Sequence, residues 1–336
     1  MTGRRDWLTA LYAAGVTPAS FLPDASTGRV GDFETEPAPA VELVEDGELQ
    51  VHPLAPGAPP DAVAFLDGIQ QWKVVGYDGV RPIAVAYVAA AVRRRERDGR
   101  LRTAHWAARE LVLAAPESLN EGRRQAIAAA GLEVVVAEAD AGGAGAGQPG
   151  QALETLRREV MRARQSLERD LGQRAAERLG GGEWLVVDGQ LAISAALARH
   201  PRAIGVIKSH GAQFLEGRHL ERALTVPAAH RTSVFRVHGG HGRTEVDSWY
   251  LRLWPWEGRD LYYGLLRIEV ARGPDPGTRA PGISGWLFAE RAPLSAPDAR
   301  FDRLLFPIRD VETYLRSRAP GDLLASPASR LPRTGT

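Results

Sequence analysis

Apolar and polar positions change rhythm several times along this chain, and each change marks an element. Trp7, Leu8, Leu11 and Tyr12 fall on one face at helical spacing, which predicts a helix within residues 1–20. Residues 23–60 are rich in Pro, Gly and acidic residues. They read as an irregular arm with short strands at 40–44 and 49–52. Strands follow at 62–67, 71–77, 81–92 and 105–113, and Asp78-Gly79 is a hairpin signal between two of them. The charge run 93–100 reads as a solvated turn. A helix at 117–130 is capped by Gly131, and the mostly apolar 132–138 reads as a buried strand. A Gly/Ala-rich loop at 141–150 leads into a long amphipathic helix over 152–179, with Leu153, Leu156, Val160, Leu167 and Leu171 as its stripe. A strand ending at Asp188, a helix at 191–199 and a strand at 203–207 then alternate, which implies parallel pairing. From Arg231 the rhythm predicts long antiparallel strands at 233–237, 245–254 and 261–270. Helices at 285–291 and 309–318 and a Pro/Ser/Arg tail come last.

Composition narrows the chemistry. The chain has 336 residues, 44% hydrophobic and 25% charged, a globular composition that can bury a core in one large domain or two ordinary ones. It has no cysteine, so disulfides and thiolate metal sites are excluded. Any metal falls to Asp, Glu, His or carbonyl oxygen, which suits Mg²⁺ or Mn²⁺. The net charge of +1 argues neither for nor against nucleic acid. Basic residues are nearly all arginine; Lys73 and Lys208 are the only lysines. No apolar run is long enough to span a bilayer, and Met1–Leu8 lacks a signal-peptide core, so a cytoplasmic protein is expected.

Two stretches stand out against this background. Ala64-Phe65-Leu66-Asp67-Gly68 is a short apolar run ending in Asp-Gly, and Trp184-Leu185-Val186-Val187-Asp188-Gly189 repeats the pattern. An isolated buried carboxylate needs a partner, a proton or a metal ion. Two such strand ends could aim Asp67 and Asp188 at shared divalent metal, or each Asp-Gly could be a simple turn. Hydrolysis of a phosphodiester with two hard cations about 4 Å apart needs several carboxylates. A third is expected from the long helix. Glu168, beside Leu167 and Leu171, is the candidate, with Glu159, Asp170 and Glu177 as rivals. A hairpin-led set of three antiparallel strands, then strand, helix, strand, is the order of an RNase H-like fold. The expected class is α/β, with an RNase H-like mixed sheet flanked by helices and a C-terminal antiparallel β extension. The expected division is an N-terminal helix and arm (1–60), a catalytic core (61–230), an antiparallel β/helix region completing the domain (231–318) and a disordered tail (319–336).

Phe65-Leu66-Asp67-Gly68, Ser166-Leu167-Glu168, Leu185-Val186-Val187-Asp188-Gly189-Gln190-Leu191 and Ile204-Gly205-Val206-Ile207-Lys208-Ser209 resemble, in that order, the motifs of NurA-type nucleases. Leu266-Arg267-Ile268-Glu269-Val270 resembles that family's C-terminal strand. The resemblance runs from about residue 60 to 315. It implies a homodimeric, Mn²⁺-dependent DNase that works with a hexameric HerA-type translocating ATPase in DNA end processing or defence. Asp67, Glu168 and Asp188 are then metal ligands, and Lys208 lies at the rim on phosphate. Two positions depart from the family. Ile69 stands where a small hydroxyl residue is usual, and no histidine follows His241. Phe306-Pro307-Ile308-Arg309-Asp310 resembles the turn that carries the family histidine. Asp310 is thus a substitute ligand or a helix N-terminal acid. A catalytically inactive adaptor or DNA-binding subunit of a ring ATPase is the alternative. Two further groups are ambiguous. His238-Gly239-Gly240-His241 is a metal pair or a hairpin tip. Trp249, Trp254, Trp256, Tyr262 and Tyr263, with Arg252 and Arg259, stack single-stranded DNA or pack the sheet.

Overall fold

The strand that carries Asp67 does not stop there. In the computed structural model, which describes residues 6–18, 40–55, 57–138, 149–208, 210, 214–240, 242–257, 259–292 and 303–321, it runs unbroken from Val63 to Asp78. The elements begin with α1 (Asp6–Ala13), β1 (Thr17–Pro18), β2 (Val41–Leu43) and β3 (Val51–Pro53). Three long antiparallel strands follow: β4 (Val63–Asp78), β5 (Arg81–Arg95) and β6 (Leu101–Ala114). Then come α2 (Glu121–Ala129), β7 (Glu133–Val136), α3 (Pro149–Glu177), β8 (Trp184–Asp188), α4 (Ala195–Ala198), β9 (Ala203–Ile207) and α5 (Gly217–Leu224). The chain closes with β10 (His230–Thr232), β11 (Phe235–Val237), β12 (Val246–Arg252), β13 (Leu265–Ala271), α6 (Pro276–Ala289) and α7 (Phe306–Arg318).

These strands form one large mixed sheet in the order β2-β11-β12-β13-β9-β8-β4-β5-β6-β7, flanked by helices. Pairing is parallel at β4–β8, β8–β9 and β6–β7. The antiparallel C-terminal strands join through β13 against β9. Successive strand residues point to opposite faces, so period-2 patterns sort the core. Ala64 and Leu66 pack with Leu156, Val160, Leu167 and Leu171 of α3 on one face. Phe65 and Ile69 pack with Ile283 and Leu287 of α6 and Ile308, Val311 and Leu315 of α7 on the other. β5 is buried on both faces and reads as an almost continuous apolar run rich in alanine. At the hairpin end, Trp7, Leu8 and Leu11 of α1 and Ile127 of α2 cover Val75, Ile83 and Val112. No helix among the described residues is long and apolar enough to cross a membrane.

Several expectations are corrected. The strands expected at 62–67 and 71–77 are one, so Asp67-Gly68 is no turn: Asp67 pairs with Ala91 and Gly68 with Ala90 across β5. Gly79, at φ 62°, makes the tight turn expected after Asp78. The arginines expected in a solvated turn extend β5. Arg93 meets Asp310 at 2.7 Å, Arg94 meets Glu183 at 2.5 Å, and Arg95 pairs with Glu290. The helix expected over 191–199 shrinks to Ala195–Ala198, and the Leu191 and Ala192 N–H groups before it donate to the Glu269 carboxylate at 2.7 and 3.2 Å. The helix expected at 285–291 is the end of α6, which begins at Pro276 and tolerates Pro281 within it. β7 lies at the sheet's end and is only half-buried. Most of the arm before residue 40, the loop at 141–148 and the tail from 322 lie outside the described residues.

Candidate active site

Parallel pairing of β4 with β8 includes Phe65↔Val186 and Leu66↔Val187, and ends there. Asp67 and Asp188 are the next residue of each strand. They leave neighbouring backbones about 5 Å apart, on the face that carries Phe65 and Val186. From that point the strands differ. β4 continues under α7, and Asp67 is 6% exposed. β8 ends, Gly189 takes φ 139°, and the Asp188 side chain stays 21% exposed. Lys208, one residue past β9, places Nζ 2.8 Å from Asp188 Oδ2. Arg303 donates to the Lys208 carbonyl at 3.1 Å and anchors this turn.

Glu168 arrives from the opposite face. It sits on α3 between Leu167 and Leu171, both buried against the sheet, and its carboxylate lies over Gly68. A Cβ at Gly68 would overlap that carboxylate. The glycine here makes room rather than a turn. Arg164, one helical turn before, pairs with Glu168, and its Nε donates to Gln70 Oε1 at 3.2 Å.

The electrostatics show three acids in one field. Burial pushes the Asp67 carboxyl well above the usual carboxylate range; Asp188 and Glu168 push it further, and Lys208 pulls back. Burial raises Glu168 to about 7 against the pull of Arg164, with Asp188 adding to the rise. Burial alone would lower the Lys208 ammonium, but Asp188, Asp67 and Glu312 outweigh it and the net shift is upward. Three carboxylates thus face two cations. The donor set is all oxygen, short of positive charge and partly open at Asp188, and it fits a hard divalent cation. Asp67, Glu168 and Asp188 do not bring one oxygen each within 4.8 Å of one another, so an ion held by all three needs Arg164 and Lys208 to shift and the carboxylates to close in.

A second cluster is tighter. Glu45, Asp46 and His52 have ligand atoms all within 4.8 Å of one another. Most of its acceptors are already used. Both Arg231 Nη atoms reach Glu45, at 2.7 and 2.6 Å, and Val234 N–H adds a third bond at 2.8 Å. Asp46 Oδ2 takes the Ser233 hydroxyl at 2.5 Å and lies 2.9 Å from His52 Nε2. That Ser233 bond is the largest cause of a lowered Asp46 pKa. The cluster clamps the β2–β3 arm to β10 and β11. Sequence reading missed it, although Glu45-Asp46 lies six residues before His52.

The remaining candidates divide. Asp310 is turned to Arg93 on β5, whereas Glu312, which sequence reading passed over, pairs with Arg316 at 2.7 Å. Arg252, expected on nucleic acid, is fully buried. Its guanidinium donates to the carbonyls of Val226, Leu224, Leu261 and Tyr263, so no donor is presented to a phosphate outside. Arg259 is exposed, over the Tyr263 ring at 5.0 Å. Trp249 is core, its Nε1 donating to Ser284 at 2.8 Å. Of the rival acids on α3, Glu159 pairs with Arg162 at 2.5 Å, and Asp170 and Glu177 are exposed. His238 lies 3.0 Å from Glu245, and His241 is outside the described residues.

No protein-family profile and no curated protein sequence matches this chain. Among solved structures, the NurA nuclease from Sulfolobus solfataricus is similar over 85% of this chain and 90% of that one, at 10% identity and a TM-score of 0.47. That is a likeness of chain trace.

Proposed function

We propose that this chain is a divalent-metal-dependent DNA nuclease of the NurA type, with Asp67, Glu168 and Asp188 as the metal-holding carboxylates and Mn²⁺ or Mg²⁺ as the ion. The observation that carries the reading is the buried Asp67 carboxylate, set beside Asp188 on the adjacent strand and Glu168 across Gly68. A lone buried carboxylate is a burden to the fold; a buried one whose pKa two neighbouring carboxylates push up further suits a site for cations. The ordered motif resemblance adds DNA as substrate. It is also the sole support for Mn²⁺ as preferred ion, a homodimer, a HerA-type ATPase partner and a cytoplasmic role in end processing or defence. A catalytic unit spanning residues 61–318 belongs to the same proposal. When bound, a pair of divalent ions supplies an activated water and neutralises the leaving oxygen of the phosphodiester. The chain's own part is to fix the carboxylates on neighbouring strands and keep Glu168 against Gly68.

One observation favours a second reading. Lys208 and Arg164 already occupy Asp188 and Glu168, as they would in an inactive adaptor subunit whose acids are neutralised for good. Cleavage of linear DNA with Mn²⁺ separates the two. The nuclease reading expects activity in the parent chain and, in Asp67→Ala and Asp188→Ala, a loss beyond the ~10–100-fold that removal of an outer-shell partner brings. Equal absence of cleavage in all three proteins would leave the adaptor.

A further inference from the structure

Three ligand atoms on the β2–β3 arm already have the spacing of a metal site. His52 Nε2 lies 2.9 Å from Asp46 Oδ2 and 4.0 Å from Glu45 Oε1. The third separation is also within 4.8 Å. Atoms that each bond one ion at about 2.1 Å stand roughly 3.0–4.2 Å from one another, so this set closes on a cation with little movement. Glu45 and Asp46 open the turn after β2, and His52 sits on β3, directly across from Arg231 of β10. The groups around them orient the acids and leave room. An ionised carboxylate has about four lone-pair sites. Arg231 takes one on each Glu45 oxygen, and the Val234 N–H takes a second on Oε2. Oε1, the oxygen 4.0 Å from His52, keeps a site for an ion. The Ser233 hydroxyl fixes Asp46 in the same way. Ligating carboxylates in metal sites are themselves held by such hydrogen bonds. The side chains of His52 and Asp46 are 31% and 32% exposed, which gives an ion a way in.

We propose that Glu45, Asp46 and His52 bind a divalent transition ion of the zinc type, and that this ion locks the β2–β3 arm against β10 and β11. The site is separate from the acidic centre and does not depend on the nuclease reading. Its imidazole donor favours Zn²⁺ over Mg²⁺, whereas the Asp67 centre offers oxygen alone. With His52 neutral, two carboxylates face one guanidinium, so the patch carries a negative charge for the ion to meet. His52 binds through the Nε2 lone pair, with its remaining proton on Nδ1; a protonated His52 releases one proton to solvent on binding. The ion replaces the direct approach of His52 to Asp46 with two bonds to itself. Arg231 and Ser233, which come from the sheet, keep their hold on the ligating acids, so the ion ties the arm to the core through them.

The test is Zn²⁺ affinity of the full chain by titration calorimetry, with amide hydrogen exchange across residues 44–54 as a second readout. The parent and Asp188→Asn are expected to bind Zn²⁺ alike at this site. His52→Gln is expected to lose more than the ~10–100-fold that removal of an outer-shell partner brings, and Ser233→Ala about tenfold. Asp46→Asn, which keeps the side chain's shape, is expected to weaken binding as His52→Gln does and serves in its place should the glutamine variant not fold. Zn²⁺ should slow exchange across 44–54 in the parent and leave it unchanged in His52→Gln. Zn²⁺ binding as tight in His52→Gln and Asp46→Asn as in the parent overturns the inference. So does binding that is lost in Asp188→Asn but kept in His52→Gln, which would put the ion in the acidic centre. Absence of Zn²⁺ binding to the parent overturns it as well, and leaves the nuclease reading where it stood. Binding at His52 with unchanged exchange across the arm overturns the lock.

Discussion

Two buried ionic systems sit near the same strand ends and are built on opposite principles. Glu269 and Arg267 project from one face of β13. Each Glu269 oxygen is matched: Oε1 by Arg267 at 2.6 Å, Oε2 by the Leu191 and Ala192 N–H groups. Arg267 lies over the Phe214 ring at 3.9 Å, and nearby Arg252 is spread over four carbonyls. Asp67, Asp188 and Lys208 project from the other face, and with Glu168 and Arg164 reaching in from α3 they make three carboxylates and two cations. In the first arrangement both carboxylate oxygens are matched, with Arg267 Nη2 left without a hydrogen-bond partner, and it holds α4 and the antiparallel strands to β9. The second is short of positive charge and has a half-open rim. Burial of charge is common to both. The degree of compensation separates a brace from a site.

The largest effect should come from breaking the brace. Glu269→Ala leaves Arg267 buried without its partner and orphans two N–H groups; a loss of about 3–5 kcal/mol is expected in denaturant unfolding. A loss under 1 kcal/mol would mean that the pair is no brace. Next is His210, on the brace side. Its ring lies 5.3 Å from that of Tyr262, its Nε2 is 3.0 Å from the Leu265 carbonyl, and Arg267, Arg303 and Arg252 face it. Burial first, then these arginines, hold its pKa at about 4. The folded pKa lies below the unfolded value near 6.5, so the unfolded chain takes up the proton first. Stability should fall as pH drops from about 6.5 to about 4, by about 3 kcal/mol in total. His210→Phe should flatten unfolding free energy across that window, and an unchanged slope would assign it to other groups. The smallest effect has the opposite sign. With metal chelated, Asp67→Asn should stabilise the chain by about 0.5–2 kcal/mol, since it removes a buried carboxyl that its neighbours repel. Destabilisation in a thermal melt would place Asp67 with the brace.

The two Asp-Gly pairs show how far local sequence reached. Both were legible as carboxylates following apolar strands, and Asp188-Gly189 does end β8 with a glycine at positive φ. Asp67-Gly68 looks the same in sequence but lies inside a sixteen-residue strand. The turn signal was overridden by fifteen residues of pairing with β5, including Asp67 and Gly68 themselves. The glycine serves Glu168, a residue a hundred positions away. The arginines of β5 misled for a similar reason. Asp310, Glu183 and Glu290, which neutralise them, come from three distant segments. On α7, spacing alone could not show that Asp310 is spent on Arg93, because only the helix's seating on β4 and β5 brings the two together.

Period-2 and period-3.6 patterns, fixed by side chains a few residues apart, determined the order of strands and helices, the apolar stripe of α3, and which acids follow buried strands. The absence of cysteine limited any metal site to hard oxygen or imidazole donors. Tertiary structure alone decided which acids meet, which arginines are consumed as braces, and that a lysine already occupies the centre. Those outcomes depend on contacts between residues far apart in sequence, where a charge's energy is set by burial and partners rather than by its neighbours along the chain.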